Sequence, residues 1–152
     1  MSACPCGSSK DFEKCCQPII KGAVQAKTAE ELMRSRYTAF TLADVAYLKH
    51  SFAPEERSEF DDTDTKKWAE SAKWKGLKIL STKKGTENDK RGTVEFVAKY
   101  EMDGEVIEHH EVADFRKTAN GQWYFVDGDS HTHKEGEDHH HHHEPVQPVV
   151  RT

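Results

Sequence analysis

The sequence predicts an α+β protein with a small metal-binding knuckle at its N-terminus. Three observations carry this expectation. Apolar residues recur at helical spacing between Leu32 and Ala72, they alternate with a period of two from Leu77 onward, and all 4 cysteines precede Gln17. Helices followed by a run of strands segregate the two element types, which is the α+β pattern. A chain of 152 residues fits one main domain.

The first long helix is announced by Thr28-Ala29-Glu30-Glu31, a capping box with Thr28 at N-cap and Glu31 at N3. Behind it Leu32, Met33, Tyr37 and Phe40 form one apolar face. On the same helix Arg34 and Arg36 either pair with Glu30 or Glu31 or bind an anion, and pairing is the simpler expectation. Asp44 can cap a second, short helix through Val45, Tyr47 and Leu48, and Pro54 ends it or starts another. A third helix is expected from about Asp64 to Ala72, with Trp68, Ala69 and Ala72 on one side.

The strands follow. Leu77 to Lys83 reads as the first. Val94, Phe96, Ala98, Tyr100 and Met102 then alternate with Glu95, Val97, Lys99 and Glu101, the signature of a half-buried antiparallel strand. Asp103-Gly104 is a two-residue hairpin signal, because a type I′ turn needs positive φ at both central positions. Val106 to Arg116 returns, Asn120-Gly121 marks another tight turn, and Trp123 to Val126 is the last predicted strand. This divides the chain into a knuckle over residues 1–18, a main domain over 19–130 and a His-rich tail over 131–152. The tail's composition predicts disorder.

Cys4, Cys6, Cys15 and Cys16 are spaced C-x-C-x8-C-C. Four thiolates at this density suit one tetrahedral Zn2+. Two disulfides, an iron–sulfur centre or a copper site are the alternatives, and a reducing compartment disfavours the disulfides. Gly7 allows the backbone turn, Lys10 and Lys14 offset part of the thiolate charge, and Phe12 can cover the metal. A catalytic zinc normally keeps an open position. Four cysteines leave none, so the zinc is expected to be structural, and no catalytic residue is assigned there.

The run Cys4-Pro5-Cys6-Gly7-Ser8-Ser9, closing in Cys15-Cys16, resembles the SEC-C motif found at the C-terminus of the SecA translocation ATPase. Downstream, the segments 32–40, 44–48, 74–77, 94–98 and 121–128 resemble the middle domain of the bacterial YchJ family (UPF0225). The resemblance covers about residues 3–130 and implies a SEC-C zinc motif joined to an NTF2-like cone, a curved antiparallel sheet with helices closing its mouth. It also implies an adaptor role, with the knuckle docking a protein or ribonucleoprotein partner through Lys10 and Lys14, and sheet-to-sheet pairing into a dimer. The family's known properties do not supply an activity. Some members of the family carry a second SEC-C motif at the C-terminus, and this chain has no cysteine after Cys16.

NTF2-like cones often enclose a ligand cavity, which makes a small-molecule binder or enzyme the second reading. Candidates to line such a cavity are Arg36, Tyr37, Tyr100, His109, His110, Asp114 and Trp123. Neighbours on a strand point to opposite faces, so only one of His109 and His110 faces inward. Sequence parity alone does not choose between them, because His109 travels with Ile107 and Phe115 while His110 travels with Val106 and Val112.

A third reading is metal storage or delivery by His131, His133, His139, His140, His141, His142 and His143, whose imidazoles suit Zn2+, Ni2+ or Cu2+. The tract is either native or a purification tag followed by further sequence. The net charge of -5 argues against a general nucleic-acid binder outside a ribonucleoprotein. No apolar run reaches the roughly 18–20 residues of a membrane span, and the start lacks a secretory pattern, so the expected location is the cytoplasm.

Overall fold

The computed structural model describes residues 3–134. Four helices precede four strands: α1 (Cys16–Ile20), α2 (Ala29–Thr41), α3 (Val45–His50) and α4 (Asp62–Ser71), then β1 (Lys73–Lys84), β2 (Arg91–Met102), β3 (Glu105–Lys117) and β4 (Trp123–Lys134). The strands form one antiparallel meander in the order β1-β2-β3-β4. The predicted α+β class is therefore the observed one.

Local chemistry accounts for the boundaries. The Thr28 hydroxyl accepts the Glu31 N–H at 3.1 Å, and the Glu31 carboxylate accepts the Lys27 N–H at 2.8 Å. Asp44 caps α3 as expected. Asp61 caps α4 by accepting the Asp64 N–H at 2.8 Å, so that helix starts before Asp64 and stops at Ser71. Asp103 and Gly104 both take positive φ, 54° and 81°, which gives β2 and β3 their two-residue turn.

Two strands are longer than the alternation suggests. β1 begins at Lys73 rather than Leu77, because irregularities at Trp74/Gly76 and Ile79/Ser81 let Trp74, Leu77 and Ile79 all pack on the core without strict alternation. β4 runs on past Val126 to Lys134, its backbone paired with β3 as far as Ile107. The first four positions of the His-rich segment, His131 to Lys134, thus belong to the sheet.

α2 packs across one face of the sheet. Its Leu32, Met33 and Tyr37 pack with Val94, Phe96, Phe115, Trp123 and Phe125. Phe40 joins Leu48, Trp68 and Tyr100 in a second cluster. Trp68 stands edge-on to Phe40, Trp74 and Tyr100, with ring centroids 5.3, 5.3 and 5.6 Å apart. Such edge contacts add to the burial of the rings. A space of about 10 Å³ remains between Phe40, Trp68, Trp74, Phe96 and His109, room for roughly one water.

Candidate metal centre

The knuckle is a short folded loop tied by its own backbone. The Cys4 N–H donates to the Lys10 carbonyl at 2.8 Å, and the Gly7 N–H returns to the Cys4 carbonyl at 3.2 Å. Gly7 sits at φ 82°, and a Cβ there would meet the Leu77 carbonyl at 3.3 Å. Both the turn and the approach to β1 therefore favour glycine. A single turn of 3₁₀ helix at Phe12–Lys14 then delivers Cys15, and Cys16 opens α1.

These turns bring the ligand atoms of Cys4, Cys6, Cys15 and Cys16 within 4.8 Å of one another. The Cys6 and Cys15 sulfurs are 3.6 Å apart, and those of Cys15 and Cys16 are 3.9 Å apart. A tetrahedron with metal–sulfur bonds of about 2.3 Å has an edge of about 3.8 Å, so the spacing fits one bound ion. It is far from the roughly 2.05 Å of a disulfide, and all four cysteines are free. The cluster can hold a metal ion.

Its electrostatics point the same way. A hydrogen bond from the Cys16 thiol holds Cys6 down to about 4, against the opposing effect of burial. The same contact, with burial, pushes Cys16 up, and burial raises Cys15. A cation binds the thiolate form of each ligand, so metal binding releases the protons that Cys15 and Cys16 carry.

The main domain braces the knuckle. Arg34 donates through Nη1 to the Cys6 carbonyl at 2.6 Å and through Nε to Glu30 at 2.9 Å. Burial opposes the Arg34 charge, but Glu30 and Cys6 outweigh it and raise its pKa. The Thr38 hydroxyl lies 3.7 Å from the Cys4 sulfur, and the Ser8 hydroxyl 3.1 Å from that of Cys15. Arg34 pairs with Glu30 as expected. Its hold on the knuckle, and the contacts of Thr38 and Ser8, had no signal in spacing or composition. Lys10 and Lys14 are exposed beside a groove of about 610 Å³ that runs between the knuckle and the start of α2.

The residues proposed to line a cavity divide between two faces. Tyr37, Tyr100, His109 and Trp123 are buried under α2 and α4. Burial pushes both tyrosines up to about 12, and the Trp123 indole donates to the Lys27 carbonyl at 3.2 Å. His110 and Asp114 lie on the outer face of the sheet. His110 binds Glu95 at 2.7 Å, and Asp114 accepts from Thr93 at 3.2 Å. Strand pleating is the reason: His109, Ala113 and Phe115 share the buried side.

Arg36 does not pair with Glu30 or Glu31. It turns inward, fully buried, with its guanidinium 4.9 Å from the Phe52 ring centre and 4.6 Å from that of Phe125. It donates to the Leu48 carbonyl at 3.0 Å and to Ser51. Burial lowers it to about 10, so it stays charged at neutral pH. Glu111, which no sequence feature singled out, accepts from His109 at 2.8 Å in the interior. Its place two positions along the same strand is the signal that could have found it.

Among the histidines of the C-terminal segment, the backbones of His131 and His133 stand opposite His110 and Glu108 in the sheet. His139, His140, His141, His142 and His143 lie outside the described residues. The cysteine cluster is the one grouping with metal-ligand geometry among the described residues. No described helix is long and apolar enough to cross a membrane.

Comparison with known proteins agrees with this geometry. Residues 28–128 match the family described as "YchJ, middle NTF2-like domain", and residues 2–18 match the SEC-C motif. A UPF0225 protein of Geobacter sulfurreducens is 50% identical over 125 residues, spanning 82% of this chain and 77% of its own. One from Ralstonia nicotianae is 37% identical over 142 residues, spanning 84% and 91%. The solution structure of a SEC-C motif containing protein from Rhodopseudomonas palustris superposes with a TM-score of 0.77 at 37% identity, covering 84% of this chain and 98% of that one. A crystal structure of a SEC-C motif containing protein from Psychrobacter arcticus gives 0.73 at 30% identity, covering 84% and 81%. The cysteine knuckle followed by the helix-covered meander is thus a shared architecture, and the chain belongs to the UPF0225 (YchJ) family, a SEC-C motif joined to an NTF2-like domain.

Proposed function

We propose that this protein is a zinc-holding adaptor. Cys4, Cys6, Cys15 and Cys16 bind one structural Zn2+, and the knuckle docks a protein or ribonucleoprotein partner through Lys10 and Lys14. One observation carries the reading. The knuckle is clamped to α2 by Arg34 while its two lysines stand exposed at the edge of an open groove. Zinc is the ion of choice because four thiolates on a tetrahedral edge leave it coordinatively closed, and because it needs no redox partner. The role is structural, so the reading assigns no catalytic residue. Free thiols fit a reducing cytoplasm.

The small-molecule reading lacks comparable support, since the space inside the cone is about 10 Å³. Drug-sized ligands occupy pockets of roughly 300–1,000 Å³. The storage reading depends mostly on His139, His140, His141, His142 and His143, which lie outside the described residues.

The test is a pull-down with the double variant Lys10→Glu, Lys14→Glu, after elemental analysis shows one zinc per chain. Loss of a partner that the unaltered protein captures is the expected result, and the same assay after ribonuclease treatment separates a protein from a ribonucleoprotein. Unchanged capture by the double variant overturns the docking role of the lysines.

A further inference from the structure

We propose that Cys15 is a modification site for hydroperoxides, and that its oxidation closes a Cys6–Cys15 disulfide which dismantles the metal centre. This rests on the zinc reading above. The carrying observation is an asymmetry among the four ligands. Cys4, Cys6 and Cys16 are 4%, 0% and 1% exposed, whereas Cys15 is only partly buried. It lines the groove of about 610 Å³ with Ser8, Lys10, Lys14 and Cys16, and of the two cysteines there it is the more exposed. A small oxidant in solvent therefore meets the Cys15 sulfur before any other.

The chemistry balances with hydrogen peroxide as the oxidant. As a metal ligand Cys15 is a thiolate; its sulfur attacks one peroxide oxygen, the O–O bond breaks, and hydroxide leaves, giving a sulfenic acid on Cys15. The Cys6 thiolate then attacks that sulfur, the S–O bond breaks, and a second hydroxide leaves. Each sulfur has given up one electron. The two electrons and two protons from solvent convert one peroxide into two waters. The cations of Lys10 and Lys14 at the groove favour the departure of hydroxide.

Cys6 is the resolving partner for two geometric reasons. Its sulfur lies 3.6 Å from that of Cys15, against 3.9 Å for Cys16. A bond to the adjacent Cys16 would also close a strained vicinal ring. Pairing Cys6 with Cys15 removes two of four donors, and with them the affinity that folds the segment. The lysine-bearing surface then loses its frame, so the knuckle responds to oxidant by releasing whatever it holds. A dithiol reductant and fresh zinc reverse the change.

The experiment uses the full chain with its zinc content measured first. Hydrogen peroxide is added in the presence of a chromophoric zinc indicator, and timed samples are alkylated and mapped by mass spectrometry. The expected result is that Cys15 loses alkylation first, zinc appears with the same rate constant, and a Cys6–Cys15 disulfide accumulates. Cys15→His keeps a zinc ligand at that position without a thiol, and its release by peroxide is expected to be at least tenfold slower. Should that variant fold poorly, the order of oxidation in the unaltered chain decides alone. Prior oxidation of Cys4, Cys6 or Cys16, zinc release without the Cys6–Cys15 bond, or an unchanged rate in a zinc-loaded Cys15→His overturns the proposal. A chain that binds no zinc before peroxide is added fails the zinc reading itself, and this inference falls with it.

Discussion

Replacing Gly128 with alanine tests how tightly the buried histidine–glutamate pair is built. Gly128 lies on β4 opposite Ala113, diagonal to Glu111 on the inner face. A Cβ at position 128 would stand 2.7 Å from Glu111 Cδ and 3.1 Å from Cγ, with Oε2 nearer still. A glutamate end can usually swing aside. This one is 2% exposed and bonded to His109, so it has nowhere to go. Overpacking a filled core costs about 1–3 kcal/mol, and breaking a hydrogen bond to a charged group adds about 1.5–3 kcal/mol. A loss of about 3 kcal/mol is expected, a large part of the roughly 5–15 kcal/mol of a typical domain. With a urea dependence of about 2 kcal/mol per molar, the midpoint falls by about 1.5 M.

The sign makes the test sharp. Gly128 does not hold a positive φ, and an unstrained glycine-to-alanine change stabilises by about 0.4–1 kcal/mol through the unfolded chain. Urea unfolding followed by tryptophan fluorescence separates the two outcomes. A Glu111→Ala background removes the colliding atoms, so Gly128→Ala should cost little there. A neutral or stabilising Gly128→Ala, or the same loss in both backgrounds, refutes the reasoning.

Three further outcomes are expected. Arg36→Ala should cost about 3–5 kcal/mol in the same urea assay, because Glu111 loses a buried countercharge and Phe52 and Phe125 lose the cation between them. Glu55, bonded to Arg116, is held at about 2. Since that carboxyl is depressed in the folded state, the pair's contribution is present above about pH 4.5 and fades as pH falls toward 2, which carbon-detected NMR of the carboxyl reads directly. Arg116→Gln should return Glu55 to the ordinary carboxylate range. Chelation of the metal should strip hydrogen-exchange protection from residues 3–18 while β2 and β3 keep theirs, because the sheet has its own core; simultaneous loss in both would contradict this.

Much of the molecule was legible because its local signals agree. The cysteine spacing named the four residues that the fold gathers into a cluster able to hold a metal ion. Thr28 with Glu31, and Asp103 with Gly104, fixed a helix start and a turn through bonds within a few residues. What escaped depends on distant partners. Arg36 occupies the same helical face as Met33 and Phe40, and the sequence left it between lining a cavity and pairing with Glu30 or Glu31. Only Phe52 and Phe125, far along the chain, make burial tolerable. His109 and His110 each travelled with apolar neighbours, and the choice waited on which side of the sheet α2 covers. The middle of β4, Asp127-Gly128-Asp129-Ser130, has no apolar alternation at all. It is a strand because β3 offers it a backbone ladder, a property no side-chain pattern records.

α2 explains why knuckle and cone occur as a unit. One face of this helix carries Leu32, Met33, Tyr37 and Phe40 into the two core clusters. Its other side presents Arg34 to the Cys6 carbonyl and Thr38 to the Cys4 sulfur. A knuckle of this size has almost no core beyond its sulfurs, Phe12 and Ile20, so metal binding alone would fold it without fixing its orientation. Arg34 supplies the orientation: its planar fork ties the Cys6 backbone to Glu30 through two nitrogens at fixed geometry, which the point charge of a lysine does not reproduce. The cone therefore acts as the rigid mount of the knuckle, and the surface around Lys10 and Lys14 inherits its geometry from a helix whose opposite face is locked in the core.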